Sequence, residues 1–290
     1  EDGIRDSVAS RGLGDVYKRQ ACIDDETYYL FGSSVAQNMH LRWFEKHLEG
    51  VDDVIYKNMT DDFHGIAISG PNSRELLSRL TREDISSDAF KFRDIRDTFI
   101  GGVPALCVRL SFTGELGYEI YVAPQYQLKL FEEIEEAGKD LDVKWFGGRA
   151  LMSMRLEKSW GAWTMDFRPD FNIMESGLDF FVNWNKDFVG KKAALKEKKK
   201  GPSKHLTVIE IETETDVSGD EAVMHNGKCI SYITSGGYGH SVEKSLAMTY
   251  LPVELIKQST QLEVEILGIF HQARVILEPL YDPSGSKMRS

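Results

Sequence analysis

The feature that most constrains the fold of this 290-residue chain is a change of hydrophobic period at Gly201-Pro202. Ahead of that dipeptide, strand-like alternation is interleaved with apolar stripes at helical spacing. Beyond it only short strand-like runs remain, at residues 206–212, 228–234, 246–251, 261–267 and 270–277. Asn226-Gly227 is the pair that a two-residue hairpin turn demands, and Gly268 marks another turn. A succession of short strands joined by tight turns closes most readily into a small β-barrel. A C-terminal barrel is therefore expected over residues 203–290.

Upstream, residues 27–32 form a short aromatic strand, and Met39, Leu41, Trp43, Phe44 and Leu48 give residues 37–48 a helical stripe. A strand at 64–69 stops at Gly70-Pro71, and the proline suits the first turn of a helix carrying Leu76, Leu77 and Leu80. Alternation at 104–111, a turn at 113–116, and a second strand at 117–122 follow. Leu128, Phe131 and Ile134 then mark an amphipathic helix, with residues 143–146 as a final strand. That order is the one found in a ferredoxin-like α+β unit. A helix over 149–163, a Pro- and Asp-punctuated loop over 167–174 and a Lys-rich helix over 190–200 complete the region. The first twenty residues, EDGIRDSVASRGLGDVYKRQ, show no sustained period and read as a foreign or disordered leader.

Composition narrows the function. The chain is 41% hydrophobic with a net charge of -11, which describes a core-forming, acidic protein. Phosphate binding needs a basic face, so a nucleic-acid partner is not expected. No window reaches the roughly 18–20 apolar residues that span a bilayer, so a membrane partner is not expected either. Cys22, Cys107 and Cys229 are odd in number and far apart, and the seven histidines are scattered. Neither set makes a disulfide framework or a metal site, and a reducing compartment is expected. No dinucleotide fingerprint, P-loop, H-E-x-x-H or C-x-x-C is present.

The stretch that carries chemistry is Ser111-Phe112-Thr113-Gly114-Glu115-Leu116-Gly117-Tyr118-Glu119-Ile120-Tyr121. In the strand after its turn, Glu119 and Tyr121 share one face while Tyr118 and Ile120 share the other. A carboxylate beside a phenol, with Phe112 before the turn, suits a flat heteroaromatic ligand. The carboxylate accepts two N–H bonds from a 2-amino-pyrimidinone edge while the rings cover its faces. An ordinary hairpin with a solvated Glu and an amphipathic Tyr fits the same pattern.

The run resembles the folate-binding motif of the aminomethyltransferase (glycine-cleavage T-protein) family. Within it, the resemblance is greatest to the carboxy-terminal part of the dimethylglycine and sarcosine dehydrogenases. Matching stretches include Ile68-Ser69-Gly70-Pro71, Phe146-Gly147, Met154-Arg155-Leu156-Glu157-Lys158 and Met174-Glu175-Ser176-Gly177-Leu178. They continue with residues 187–193, Thr234-Ser235-Gly236 and Lys244-Ser245-Leu246-Ala247, from Ala21 nearly to the end.

The resemblance implies an α+β, three-domain clover-leaf. Residues 21–60 and 140–200 would form a split folate-binding domain, 61–139 a ferredoxin-like domain and 203–290 the barrel. It implies that tetrahydrofolate is the cofactor, with Glu119 on the pterin edge and Tyr121 and Phe112 lining the ring pocket. Arg155 and Glu157 would lie on a helix beside it, either touching the ligand or serving as a structural ion pair. Glu175 and Gly177 are expected to close a loop, and the 191–200 lysine run is expected to be a solvated helix face.

The implied reaction passes the oxidised methyl carbon of an N-methyl amine, or its iminium, to tetrahydrofolate, giving 5,10-methylene-tetrahydrofolate. FAD would belong to a preceding oxidase domain that this chain does not contain, so a truncated dehydrogenase is expected. The family's acid near the reactive folate nitrogens falls within the leader, so no catalytic residue is assigned. A stand-alone tetrahydrofolate-dependent demethylase or aminomethyltransferase and a non-catalytic folate-binding module are the alternatives. Iron–sulphur assembly relatives carry a cysteine where residues 186–193 have none. The expected location is bacterial cytoplasm or the mitochondrial matrix.

Overall fold

The computed structural model describes residues 18–290. The part of the leader before residue 18 lies outside the described residues. The chain divides into two compact units. One contains the described residues up to Ser111, Glu115–Trp145 and Lys287–Ser290, and the other contains Phe112–Gly114 and Phe146–Ser286.

The first unit opens with an antiparallel hairpin of β1 (Lys18–Cys22) and β2 (Tyr28–Gly32). Asp24 makes its turn, since its Oδ1 accepts the main-chain N–H of Glu26 at 2.9 Å and of Thr27 at 2.7 Å. Helix α1 (Gln37–Leu48) follows with the expected bounds, but none of its residues is buried.

A four-stranded antiparallel sheet comes next, formed by β3 (His64–Ser69), β4 (Ile95–Ile100), β5 (Val103–Val108) and β6 (Gly117–Val122) in the order β3-β6-β5-β4. Helices α2 (Ser73–Leu80) and α3 (Gln127–Ala137) supply Leu76, Leu77, Leu80, Leu130 and Ile134 to its core.

The α+β character expected from the sequence is present, with one change in the source of the fourth strand. It is β4, whereas residues 143–146 are not a strand. Gly101 and Gly102, at φ 57° and 75°, make the tight β4–β5 turn. Trp145 is held instead on α3, stacked on Phe131 at 4.6 Å with its Nε1 donating to Glu135 Oε1 at 3.1 Å.

The second unit begins with α4 (Gly148–Glu157), shorter than the expected helix over 149–163. Ser159 takes φ 57°, and its N–H bonds to Leu156 O while that of Trp160 bonds to Arg155 O. These paired bonds terminate the helix as a Schellman motif. After α5 (Lys191–Lys200), whose residues are all at least partly exposed, the barrel closes.

Its strands are β7 (Lys204–Ile211), β8 (Ala222–His225), β9 (Lys228–Gly239), β10 (Lys244–Pro252), β11 (Gln261–Ile266) and β12 (Ile269–Ile276). They are ordered β10-β7-β12-β11-β8-β9 around Ile209, Val223, Ile233, Leu251 and Val264. Asn226-Gly227 and Leu267-Gly268 all have φ between 50° and 83°, the double left-handed turn that Gly and Asn adopt most cheaply. Strand β8 is too short to stand out as an apolar run. The last helix, α6, spans Ser286–Arg289.

Candidate functional site

Strand alternation sorts the side chains of β6. Tyr118, Ile120 and Val122 are buried in the core, whereas Glu119 and Tyr121 are half-buried on the opposite face. The Tyr121 hydroxyl donates to Glu119 Oε2 at 2.6 Å, so the phenol orients the carboxylate. On the neighbouring strand β3, Ala67 is opposite Glu119 and Gly65 is opposite Tyr121. The Tyr121 ring lies over Gly65, where a Cβ would stand only 3.0 Å from it. Phe31 of β2 packs on the same ring, with centroids 4.9 Å apart. The result is an acceptor-only group beside an aromatic surface, set among small residues.

The turn ahead of β6 is locked. Gly70 N–H and Ser73 Oγ both donate to Leu116 O, at 2.8 and 3.0 Å. Gly117 lies so close to β3 that a Cβ would come within 2.9 Å of the Ile68 main-chain oxygen. The glycine is needed for this approach rather than for its φ.

Phe112 belongs to the second unit, where it stacks on Trp160 with centroids 5.8 Å apart and planes 20° apart. Beside this pair the Lys158 stem fills the space under Gly114, whose φ is 87° and whose Cβ would meet it at 2.7 Å. The buried Lys158 ammonium donates to Asp282 O at 2.5 Å and lies 3.6 Å from the Asp282 carboxylate.

Arg155 and Glu157, two positions apart on the last turn of α4, are both buried but are not paired with each other. Arg155 Nη1 makes an ion pair with Asp166 Oδ2 at 2.6 Å, with the two side chains 1% and 0% exposed. Burial pulls the guanidinium below its ordinary pKa, and Asp166 opposes that shift. Glu157 Oε1 accepts the Ser241 main-chain N–H at 2.6 Å, tying the helix end to the β9–β10 turn.

Asp166 is the hub that the sequence reading passed over. It also accepts the Ala162 N–H at 2.7 Å and the hydroxyls of Thr234 at 2.5 Å and Ser235 at 2.6 Å. Two stretches singled out in the sequence, around Arg155 and at Thr234-Ser235-Gly236, therefore meet on one carboxylate. Its partners lie up to 69 residues away, so no local spacing marks it.

Glu175 accepts the Asn172 N–H at 3.1 Å, and Gly177 takes φ 69° against His205, both within one folded-back loop. Among the described residues no group of three or more His, Cys, Asp or Glu is placed to hold a metal ion. No described helix is long and apolar enough to cross a membrane.

Comparison with known proteins assigns both parts of the chain. Residues 19–186 match the model of the GCVT N-terminal domain, and residues 204–282 match that of the glycine cleavage T-protein C-terminal barrel domain. The chain is 38% identical to the mitochondrial dimethylglycine dehydrogenase of Homo sapiens over 87% of its own length, but it spans only 30% of that protein. It is 32% identical to the aminomethyltransferase of Geobacillus sp. (strain WCH70), over 92% of this chain and 72% of the relative. The solved structure of the glycine cleavage system aminomethyltransferase T from Bartonella henselae superposes with a TM-score of 0.81 at 24% identity. That superposition covers 92% of this chain and 72% of that one, and it shows the fold. With both domains matched and an aminomethyltransferase relative covered over most of its length, the chain belongs to the glycine-cleavage T-protein (aminomethyltransferase) family.

Proposed function

We propose that this chain is the tetrahydrofolate-binding, one-carbon-transferring region of an N-methyl-amine dehydrogenase of the dimethylglycine or sarcosine type. The supporting observation is the placement of Glu119 and Tyr121 side by side on the face of β6 turned away from the core, joined at 2.6 Å. The donor set fits a reduced pterin. Its 2-amino-pyrimidinone edge carries N–H donors, and a carboxylate is the one common side chain that accepts two of them in a plane. Phe31 and Tyr121 supply an aromatic surface next to that carboxylate.

In this reading Glu119 anchors the pterin, and Tyr121 orients Glu119 and covers the ring. Arg155 and Glu157 belong to the folate-binding domain as supports of its framework, since both are engaged with their own unit. The same proposal includes the three-domain partition into a split domain at residues 21–60 and 140–200, a ferredoxin-like domain at 61–139 and the barrel at 203–290.

Bound tetrahydrofolate would supply the two nitrogens that take up the carbon of an iminium or formaldehyde equivalent, with the demethylated amine or water as the leaving group and 5,10-methylene-tetrahydrofolate as the product. The protein's contribution is positional. A pterin fixed at one edge holds its reactive nitrogen near the incoming carbon, which is worth several kcal/mol in reactions of this kind. Oxidation of the amine belongs to a flavin-binding domain of the longer protein, in the mitochondrial matrix or bacterial cytoplasm.

A stand-alone aminomethyltransferase is the second reading, favoured by the 72% coverage of such a relative. Calorimetric titration of tetrahydrofolate into the chain is expected to give one site per molecule and a higher melting temperature on saturation. An absence of heat and of thermal protection would refute the folate reading. Turnover of dimethylglycine or sarcosine only when a flavin-bearing portion is joined to the chain separates the first reading from the second.

A further inference from the structure

Six of the ten residues of α5 are lysines and one is a glutamate, in a chain whose net charge is -11. At the angular spacing of an α-helix, Leu195, Lys199, Lys192, Lys196 and Lys200 fall in that order within an arc of about 140°. All five are exposed, whereas Ala194 and Glu197 on the other side are partly covered. Lys198 flanks the arc and is held over Trp184, 4.1 Å from the ring centroid. The second unit thus presents one basic helix face.

Helix stability alone disfavours this arrangement. Lys196 has Lys192 four positions before it, Lys199 three after it and Lys200 four after it, and each like-charge pair works against the helix. Lys191 and Lys192 lie in the first turn, the end where the helix dipole favours anions. Compensation is sparse. Glu197 is 3.8 Å from Lys200 and Asp187 is 3.9 Å from Lys191, while Lys192, Lys196 and Lys199 make no ion pair among the described residues. An anionic surface laid on this face would relieve the repulsion.

Apolar side chains accompany the charges. Val189, 73% exposed, stands before the Gly190 that caps α5, next to the exposed Phe188, and Leu195 borders the lysine arc. A soluble acidic partner needs the lysines only. An anionic bilayer uses both sets, because lysines meet its headgroups while apolar side chains enter the acyl boundary. Such attachment requires no spanning helix, and no described helix is one.

We propose that the lysine face of α5, with Val189 and Leu195, docks on an anionic lipid surface. None of these residues belongs to the Glu119 site, and the proposal does not depend on the folate reading.

The test is co-sedimentation of the whole chain with vesicles of phosphatidylcholine alone and of phosphatidylcholine containing about 40% phosphatidylglycerol, in low and high salt. Binding to the anionic vesicles is expected to be at least about tenfold tighter than to the neutral ones and to weaken as salt rises. Combining Lys192→Gln, Lys196→Gln and Lys199→Gln is expected to weaken it about 100-fold. Glutamine is a good helix former, so the melting temperature should not fall with it. Val189→Ser with Leu195→Ser is expected to weaken binding at least about fivefold in either salt. Equal sedimentation with both kinds of vesicle, or with neither, would overturn the proposal. So would a poly-glutamate peptide that binds as tightly as the anionic vesicles and is indifferent to the serine changes, a result that would point to an acidic protein partner. If the serine variant fails to fold, the lysine variant and the salt dependence decide.

Discussion

Replacing Asp166 with alanine is expected to destabilise the protein by about 3–5 kcal/mol, a drop in melting temperature on the order of 10 °C. The carboxylate is fully buried and is the ion-pair partner of an equally buried Arg155. Removing it leaves a guanidinium charge inside the second unit, where solvation is poor. It also orphans the hydroxyls of Thr234 and Ser235 and the Ala162 N–H. Asp166→Asn keeps one oxygen for these donors but not the charge, so it is expected to fall between wild type and alanine. Urea unfolding followed by circular dichroism measures both. A loss below about 1 kcal/mol for the alanine variant would mean that the hub is not a structural centre.

Glu119→Ala is expected to behave in the opposite way, with tetrahydrofolate affinity falling at least about 100-fold while stability changes by no more than about 1 kcal/mol. The carboxylate is half-buried on the face of β6 turned away from the core, and its loss removes the hydrogen bond from Tyr121. Calorimetric titration and thermal melting of the same preparation separate the two effects. A large fall in melting temperature at unchanged affinity would make Glu119 a structural residue.

The contrast between these two carboxylates shows what the sequence reveals. Glu119 was legible because strand alternation is local: five residues suffice to place it opposite Tyr118 and Ile120, and the surrounding run carries the family resemblance. The barrel was legible for the same reason, since Asn226-Gly227 and Gly268 are local turn signals, and both turns have the φ values these residues favour.

Asp166 was hidden because its role depends on partners brought together by tertiary folding. Arg155 showed only half of its chemistry in the sequence, with its neighbour Glu157 as apparent partner and the real one 11 residues on. The missed strand β4 carries Arg96 and Asp97, which blur its alternation, while the Gly101-Gly102 turn behind it was the usable signal. Residues 143–146 read as a strand, but Trp145 stacks on Phe131 of α3 instead.

The claim on which the functional account rests is that Glu119 reads the amino edge of a pterin. The most direct measurement titrates wild type and Glu119→Gln with tetrahydrofolate and with an analogue lacking the 2-amino group. The account predicts that wild type prefers tetrahydrofolate by at least about tenfold and that the variant has lost most of this preference. Equal discrimination by the two proteins would contradict it.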